Sequence, residues 1–507
     1  MNPREITLMA VVGAGVMGAG IAQLAAQAGV TVQLFDSRDG AAQAARQAIL
    51  ATLNNLAAKG RLSAQQVAEA DRHLKVATAL TDLADAQLVV EAIVEQLEAK
   101  RTLFADLEAV VADDCLLATN TSSLSVTEIA AKCRVPGRVG GMHFFNPVPL
   151  MKIVEVIDGL QSEAWVGQTL LALGRRMGHR AVLAQDTPGF IVNHGGRGYG
   201  TEAMRVLVES VTDPLTLDRI LREQAGFRMG PCELFDLTGL DVSHPVTESI
   251  YQQYYQEPRY RPTHITRQRL AAGLLGRKVG QGFYCYQDGV QQVPAEALAP
   301  LVALPPIWVS AARPEARDAV LALLERLGAD VELAAGPSTE ALCLLLPLGQ
   351  DATHAAVAEG LDPERCVALD TLLPLERRRV LMTTPVTGAS WRAAAHALMA
   401  RDGTPVSIIR DSAGFVSQRV LAQVVNIACD MAQQGVASAA DIDSAICLGL
   451  GYPMGPLAWG DALGAGQVLQ ILDQLHAYYR DPRYRPSPWL MRRAHLGLSL
   501  LTAENDH

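Results

Sequence analysis

Between Leu8 and Asp36 the chain runs an apolar pentapeptide, LMAVV, into Gly13-Ala14-Gly15-Val16-Met17-Gly18, then an alanine-rich stretch, then a second apolar run, VTVQLF, closed by an acid. Few folds accommodate that order. Strand, glycine turn, helix and strand in such a short span form a βαβ unit with parallel strands. The three glycines differ in what they allow. Gly13 permits the tight turn, Gly15 lets a ligand approach the backbone, and Gly18 lets the helix pack closely. A G-x-G-x-x-G alone would arise by chance about 0.3 times in a chain with 42 glycines among 507 residues, so the context decides. The helix N-terminus faces the place of a pyrophosphate, and Asp36 stands where a carboxylate accepts from a ribose diol. The segment therefore predicts a bound dinucleotide, with Gly13, Gly15, Val16, Met17, Gly18 and Asp36 as contacts. An acid at 36 repels a 2′-phosphate, which favours NAD over NADP.

Further strand candidates recur at HLKVAT, AQLVVEA, DCLLAT, RVGGMHFF and MKIVEVI, mostly with helical stretches between them. Such alternation predicts an α/β fold with a Rossmann-type, doubly wound parallel sheet over residues 1–185. Residues 186–287 then read as an all-α domain. Residues 288–306 carry four prolines and read as a linker. Residues 307–410 return to strand–helix alternation without any glycine fingerprint, a small degenerate α/β domain, and 411–507 read as a second all-α domain.

An internal repeat supports that division. DTPGFIVN at 186–193 returns as DSAGFVSQ at 411–418, and GFRMGPCELFDLTGLD at 226–241 as GYPMGPLAWGDALGAG at 451–466, both offset by 225 residues. YYQEPRYRP at 254–262 returns as YYRDPRYRP at 478–486. Three blocks in register mean a duplicated helical domain, and two copies are too few for a solenoid. Related surfaces of this kind pack on one another within the chain or across a homodimer.

Composition excludes several classes. A formal net charge of -10 argues against a nucleic-acid or anionic-membrane footprint. Runs such as LCLLLPLG are too short for a membrane helix of roughly 20 residues. The eight cysteines have neither zinc-ligand nor disulfide-framework spacing, so no metal is expected and the thiols suit a reducing, cytoplasmic setting. The N-terminus enters its first strand without secretion-signal features.

Glu155, between Val154 and Val156 in KIVEVI, is costly to bury unless paired. His143, in HFFNPVP, would satisfy it: the carboxylate orients the imidazole and stabilises the imidazolium formed on taking a hydroxyl proton.

GAGVMGAGIAQ, VVEAIVE, NTSSLSVTEIA, HFFNPVPLMKIVEVI, DTPGFIVN and GRKVGQGFY occur together and in order. On these motifs the chain resembles the L-3-hydroxyacyl-CoA dehydrogenase family over residues 6–286, with an altered second copy of the family's C-terminal domain over 411–500. The long form and FIVNHGGRGYGTEA resemble most the 3-hydroxyadipyl-CoA dehydrogenases of phenylacetate degradation. The resemblance implies NAD-dependent oxidation of a (3S)-3-hydroxyacyl-CoA to the 3-oxoacyl-CoA, the acyl group being 3-hydroxyadipyl or 3-hydroxybutyryl. It implies His143 as general base, Glu155 as its partner, and Ser122 and Asn193 as holders of the substrate oxygen. Glu95, Lys100, Ser122, Asn146 and Lys278 become cofactor contacts. Lys59 is a candidate for the CoA phosphates, and Arg197, near Asn193, for a distal carboxylate. The second copy has Ser417 for Val192 and Gln418 for Asn193, and no second GRKVGQGFY, so a single active site is expected. Two other readings stay open on sequence: a related β-hydroxyacid or sugar-acid dehydrogenase, and a catalytically silent NAD-binding sensor or structural protein.

Overall fold

The computed structural model describes residues 3–504. Its first sheet has eight strands: β1 Leu8–Val12, β2 Thr31–Phe35, β3 Leu74–Val76, β4 Leu88–Glu91, β5 Leu116–Thr119, β6 Val139–Phe144, β7 Ile153–Asp158 and β8 Arg180–Gln185. Their order is β3-β2-β1-β4-β5-β6-β7-β8. All neighbours pair in parallel except β6 and β7, which are antiparallel. The sheet is thus mixed rather than wholly parallel. The antiparallel pair needs no helical crossover, and the loop after HFFNPVP brings the chain straight back.

β4 and β5 are buried at every residue, as strands covered on both faces must be. The Val16–Gln27 helix packs Ile21, Leu24 and Ala25 into a core shared with Met9, Val11, Val32 and Val90. β8 was not among the strand candidates. Three of its six residues are exposed, so RAVLAQ lacks the continuous apolar run that marks the inner strands. It is one of the two edge strands, and residues 434–451 lie against it: Gln185 N donates to Val436 O at 2.8 Å, and Arg180 pairs with Asp441 at 2.8 Å. A segment of the second helical copy thereby covers an otherwise open edge.

The chain forms two compact units. One runs to His194 and takes in Gln434–Gly451; the other holds Gly195–Gln433 and the chain from Tyr452 onward. The second unit contains a six-stranded sheet built from Ile307–Val309, Val331–Glu332, Leu342–Leu345, Cys366–Leu369, Arg379–Thr383 and Val406–Ile409. The segment read as a linker begins inside a hairpin, because Val290–Gln292 pairs antiparallel with Cys285–Gln287. Asp288 and Gly289 both have positive φ, the paired left-handed turn that an Asp-Gly dipeptide favours.

The sequence repeat is also a backbone repeat. Gly189 and Phe190 have φ of 79° and 48°, and their counterparts Gly414 and Phe415 have 75° and 50°. The helices Pro231–Thr238 and Pro456–Leu463 both begin with proline, where a missing N–H is harmless. Within the second unit the copies hold each other. Arg483 reaches Glu202 at 2.8 Å and Pro258 O at 3.1 Å, and its counterpart Arg259 reaches Arg485 O at 2.6 Å and pairs with Asp430.

Candidate active site

The glycine turn follows β1, which lies between β2 and β4 at the carboxyl ends of the strands. This is the switch point where open α/β sheets bind ligands. Gly13 has φ of 102°, and a Cβ there would stand 2.5 Å from Ala92 O. A Cβ on Gly18 would come within 1.8 Å of Gly13 O, so the helix can sit this close only without a side chain. Gly15 has nothing within 4 Å of such a Cβ, leaving its amide edge open. Val16 is exposed, and Met17 packs partly on the core.

A cavity of ≈ 520 Å³ lies beside this turn, lined by Gly13, Gly15, Asp36, Arg38, Ile93 and Val94 among others. Asp36 Oδ2 accepts Ala14 N at 2.8 Å, and its side chain is forked by Arg38. That fork outweighs the opposing effect of burial and holds the Asp36 carboxyl down at about 2. A glycine-lined approach, a helix N-terminus and an anionic residue at the end of β2 suit NAD.

β6 and β7 place His143 directly opposite Glu155 on one face of the sheet. His143 Nδ1 and Glu155 Oε2 are 2.6 Å apart, both residues buried. The other carboxylate oxygen, Oε1, accepts Ile191 N at 2.9 Å and Val192 N at 2.8 Å. Glu155 therefore serves two elements at once. It orients the imidazole and receives the first amides of the Val192–Val208 helix, where a negative charge is favoured. Phe145 and Phe190 flank the imidazole, with ring centroids 4.3 Å and 5.8 Å away. Since a carboxylate only accepts, Nδ1 carries the proton of this bond and Nε2 is left with its lone pair free to accept.

The NTSS turn is organised by Glu95. Its Oε1 accepts Thr121 Oγ1 at 2.7 Å, Ser122 N at 2.8 Å and Ser123 N at 3.1 Å, while Oε2 lies 3.2 Å from Lys100 Nζ. Burial would raise the Glu95 carboxyl, but Lys100 and these donors lower it on balance. Lys100 is 1% exposed and also binds Glu91 at 2.6 Å. Its ammonium holds Glu91, the last residue of β4, and Glu95 in the turn that follows. Asn193 Nδ2 donates to Ser122 O at 3.3 Å, which brings the two oxygen-holding candidates together. Asn146 is exposed in the turn after β6, and Lys59 is exposed at the end of the Ala41–Ala58 helix. Lys278 and Arg197 belong to the second compact unit. Lys278 is paired there with Asp241, and Arg197 donates to Thr247 Oγ1.

Two residues were not singled out from sequence. Glu91, at the buried end of β4, accepts Ile93 N at 2.7 Å and Thr119 Oγ1 at 2.7 Å besides Lys100. A carboxylate closing an apolar strand was its visible signal, whereas Glu155 lies within one. Asn120 Oδ1 accepts Phe144 N at 2.9 Å and ties β5 to the residue after His143.

With this geometry in view, the model of the 3-hydroxyacyl-CoA dehydrogenase NAD binding domain matches residues 8–187, and that of the 3-hydroxyacyl-CoA dehydrogenase C-terminal domain matches 189–286 and again 414–500. The chain belongs to the 3-hydroxyacyl-CoA dehydrogenase family. It is an NAD-dependent 3-hydroxyacyl-CoA dehydrogenase, and of the three readings left open above, this is the one the family match carries. The chain is 37% identical to 3-hydroxyadipyl-CoA dehydrogenase of Escherichia coli, over 97% of its own length and 98% of that protein. It is 38% identical to a probable 3-hydroxybutyryl-CoA dehydrogenase of Bacillus subtilis, over 56% of its own length and 99% of that protein. A crystal structure of 3-hydroxybutyryl-CoA dehydrogenase from Escherichia coli superposes with a TM-score of 0.85 at 36% identity, covering 97% of this chain and 99% of that one. These names differ in the acyl group. Among the described residues no helix is long and apolar enough to cross a membrane.

Proposed function

We propose that His143 is the general base of this dehydrogenase, taking the C3 hydroxyl proton of a (3S)-3-hydroxyacyl-CoA through Nε2. The observation that carries this reading is the 2.6 Å bond of Nδ1 to Glu155, whose other oxygen is occupied by the amides of Ile191 and Val192. A carboxylate held on both sides cannot turn away, so it fixes the imidazole tautomer and stabilises the imidazolium. Ser122 and Asn193 hold the C3 oxygen as charge develops on it. When bound, NAD would supply the acceptor for the hydride leaving C3. Gly13, Gly15, Val16, Met17, Gly18 and Asp36 hold the adenosine and pyrophosphate. Glu95, Lys100, Ser122, Asn146 and Lys278 complete the cofactor set, Lys100 by positioning Glu95. Lys59, exposed at a helix end, meets a CoA phosphate.

For the acyl group we favour a distal carboxylate, as in 3-hydroxyadipyl-CoA, over the plain butyryl chain. The near full-length match to a protein of that name supports this, as does Arg197, four residues beyond Asn193 on one helix. Burial pulls its guanidinium down to about 10, still charged at neutral pH. Tyr452, from the second helical copy, interacts electrostatically with Arg197 and carries a buried hydroxyl without a hydrogen-bond partner among the described residues. A cation beside an unsatisfied hydroxyl suits a carboxylate. The remaining parts of the reading are the five-segment division, a cytoplasmic setting for the eight free thiols, and an intramolecular pseudo-dimer in which the second copy stands where a partner subunit would.

The test follows NADH absorbance with acetoacetyl-CoA, 3-oxoadipyl-CoA and free acetoacetate as oxidants. Turnover of the esters but not of the free acid is expected, with 3-oxoadipyl-CoA preferred. Arg197→Ala and Tyr452→Phe should erase that preference. Unchanged discrimination in both variants would remove the distal-carboxylate reading and leave the base assignment standing.

A further inference from the structure

The carboxylate of Asp36 has no acceptor capacity to spare. Oδ2 takes Ala14 N at 2.8 Å and Arg38 Nη2 at 3.1 Å, while Oδ1 takes Arg38 N at 2.9 Å and Arg38 Nε at 3.0 Å. A carboxylate offers about four lone-pair sites, so four donors saturate it. Two of the four are main-chain amides, one in the glycine turn and one just after β2, and neither can leave without remaking the fold. The other two belong to the Arg38 guanidinium, whose side chain is 72% exposed against 7% for Asp36. An exposed ion pair of this kind is held weakly. A ribose diol donating to Asp36 must therefore take the places that Arg38 now fills. Arg38 lines the same cavity as Gly15 and Asp36, so its displaced guanidinium remains beside the adenosine end of the site.

We propose that Arg38 sets cofactor choice together with Asp36: NAD displaces the Arg38 guanidinium from the carboxylate, and with that carboxylate removed the same guanidinium receives the 2′-phosphate of NADP. The planar fork that now matches a carboxylate matches a phosphate equally well. Asp36 thus disfavours NADP in two ways, by repelling the phosphate and by occupying the one cationic side chain that lines this cavity among the described residues. The proposal rests on Asp36 meeting the adenosine ribose.

The test is fluorescence titration of NADH and NADPH into the full chain and three variants, Arg38→Ala, Asp36→Ser and the double variant. The unaltered chain should prefer NADH. Arg38→Ala should bind NADH as tightly or more tightly, because a competitor has gone; weakening beyond about threefold would mean that Arg38 itself holds NAD, and would overturn the displacement. Asp36→Ser should weaken NADH about tenfold or more and strengthen NADPH until it equals or passes NADH. In the double variant that NADPH gain should fall back by about tenfold or more. A double variant binding NADPH as tightly as Asp36→Ser would sink the proposal. Unchanged NADH affinity in Asp36→Ser would instead sink the ribose reading beneath it, so the two failures are distinct. Should serine lower the melting temperature, Asp36→Asn repeats the test with a side chain that still accepts from Ala14 N.

Discussion

His143 and Glu155 show how one pairing makes a buried charge useful. An isolated carboxylate between Val154 and Val156 would be expensive, and the antiparallel register removes that expense by setting an imidazole opposite it. His143→Gln keeps a polar side chain but supplies no base, so turnover with acetoacetyl-CoA should fall by about 10²–10⁴. NADH affinity measured by fluorescence should stay the same. Near-normal turnover would refute the assigned base. Because oxidation releases a proton, the position of equilibrium should move toward the 3-oxoacyl-CoA as pH rises, read from NADH absorbance at fixed substrate ratios. Lys100 works differently. It is buried and bonded to Glu91 and Glu95, so Lys100→Met should destabilise the chain by about 3–5 kcal/mol as well as weaken NAD.

At the scale of elements, the glycine turn separates stability from binding. A Cβ on Gly18 would collide with the Gly13 carbonyl, whereas one on Gly15 meets nothing. Gly18→Ala should cost about 1–3 kcal/mol of stability through overpacking, together with NADH affinity, because the helix must back away from β1. Gly15→Ala should change stability by less than about 0.5 kcal/mol in urea unfolding, yet still weaken NADH where the pyrophosphate approaches. Equal stability losses in the two variants would contradict this division of labour. The hairpin at Asp288-Gly289 and the edge strand β8 belong to this scale too. Each was hidden from sequence for a local reason, the first by the prolines that follow it from Pro294 onward and the second by its half-exposed pattern.

For the whole molecule, the duplication is a packing device. Glu202 lies fully buried between Arg419 and Arg483, at 2.8 Å from each, so one carboxylate of the first copy holds two arginines of the second. Burial works to raise its pKa, but the two guanidiniums prevail and hold it at about 2, below the unfolded value near 4.5. Its stabilising contribution is therefore fully present above pH 4.5 and is lost as pH falls from there toward 2. Acid titration of the unaltered chain, followed by circular dichroism, should show a destabilising step in that window, and Glu202→Gln should flatten it. The same variant leaves buried arginines poorly compensated and should cost about 3–5 kcal/mol at neutral pH. Stability unchanged in Glu202→Gln would mean that the Glu202 cluster does not hold the copies together.

The local order of residues 8–36 determined the βαβ unit, the place of the dinucleotide and the acid at 36, because a glycine turn between apolar runs depends on neighbours in sequence. The repeat was equally visible, since related sequences reproduce the same positive φ at Gly189 and Gly414. Long-range pairing decided the rest. Only the antiparallel return of β7 sets Glu155 opposite His143, and only the turn after β4 brings Glu91 and Glu95 onto Lys100. Nothing in the sequence says that residues 434–451 cover β8, or that Arg38 fills the acceptor sites of Asp36. Such contacts depend on which distant groups are left facing one another once the cores have closed, and no local propensity carries that information.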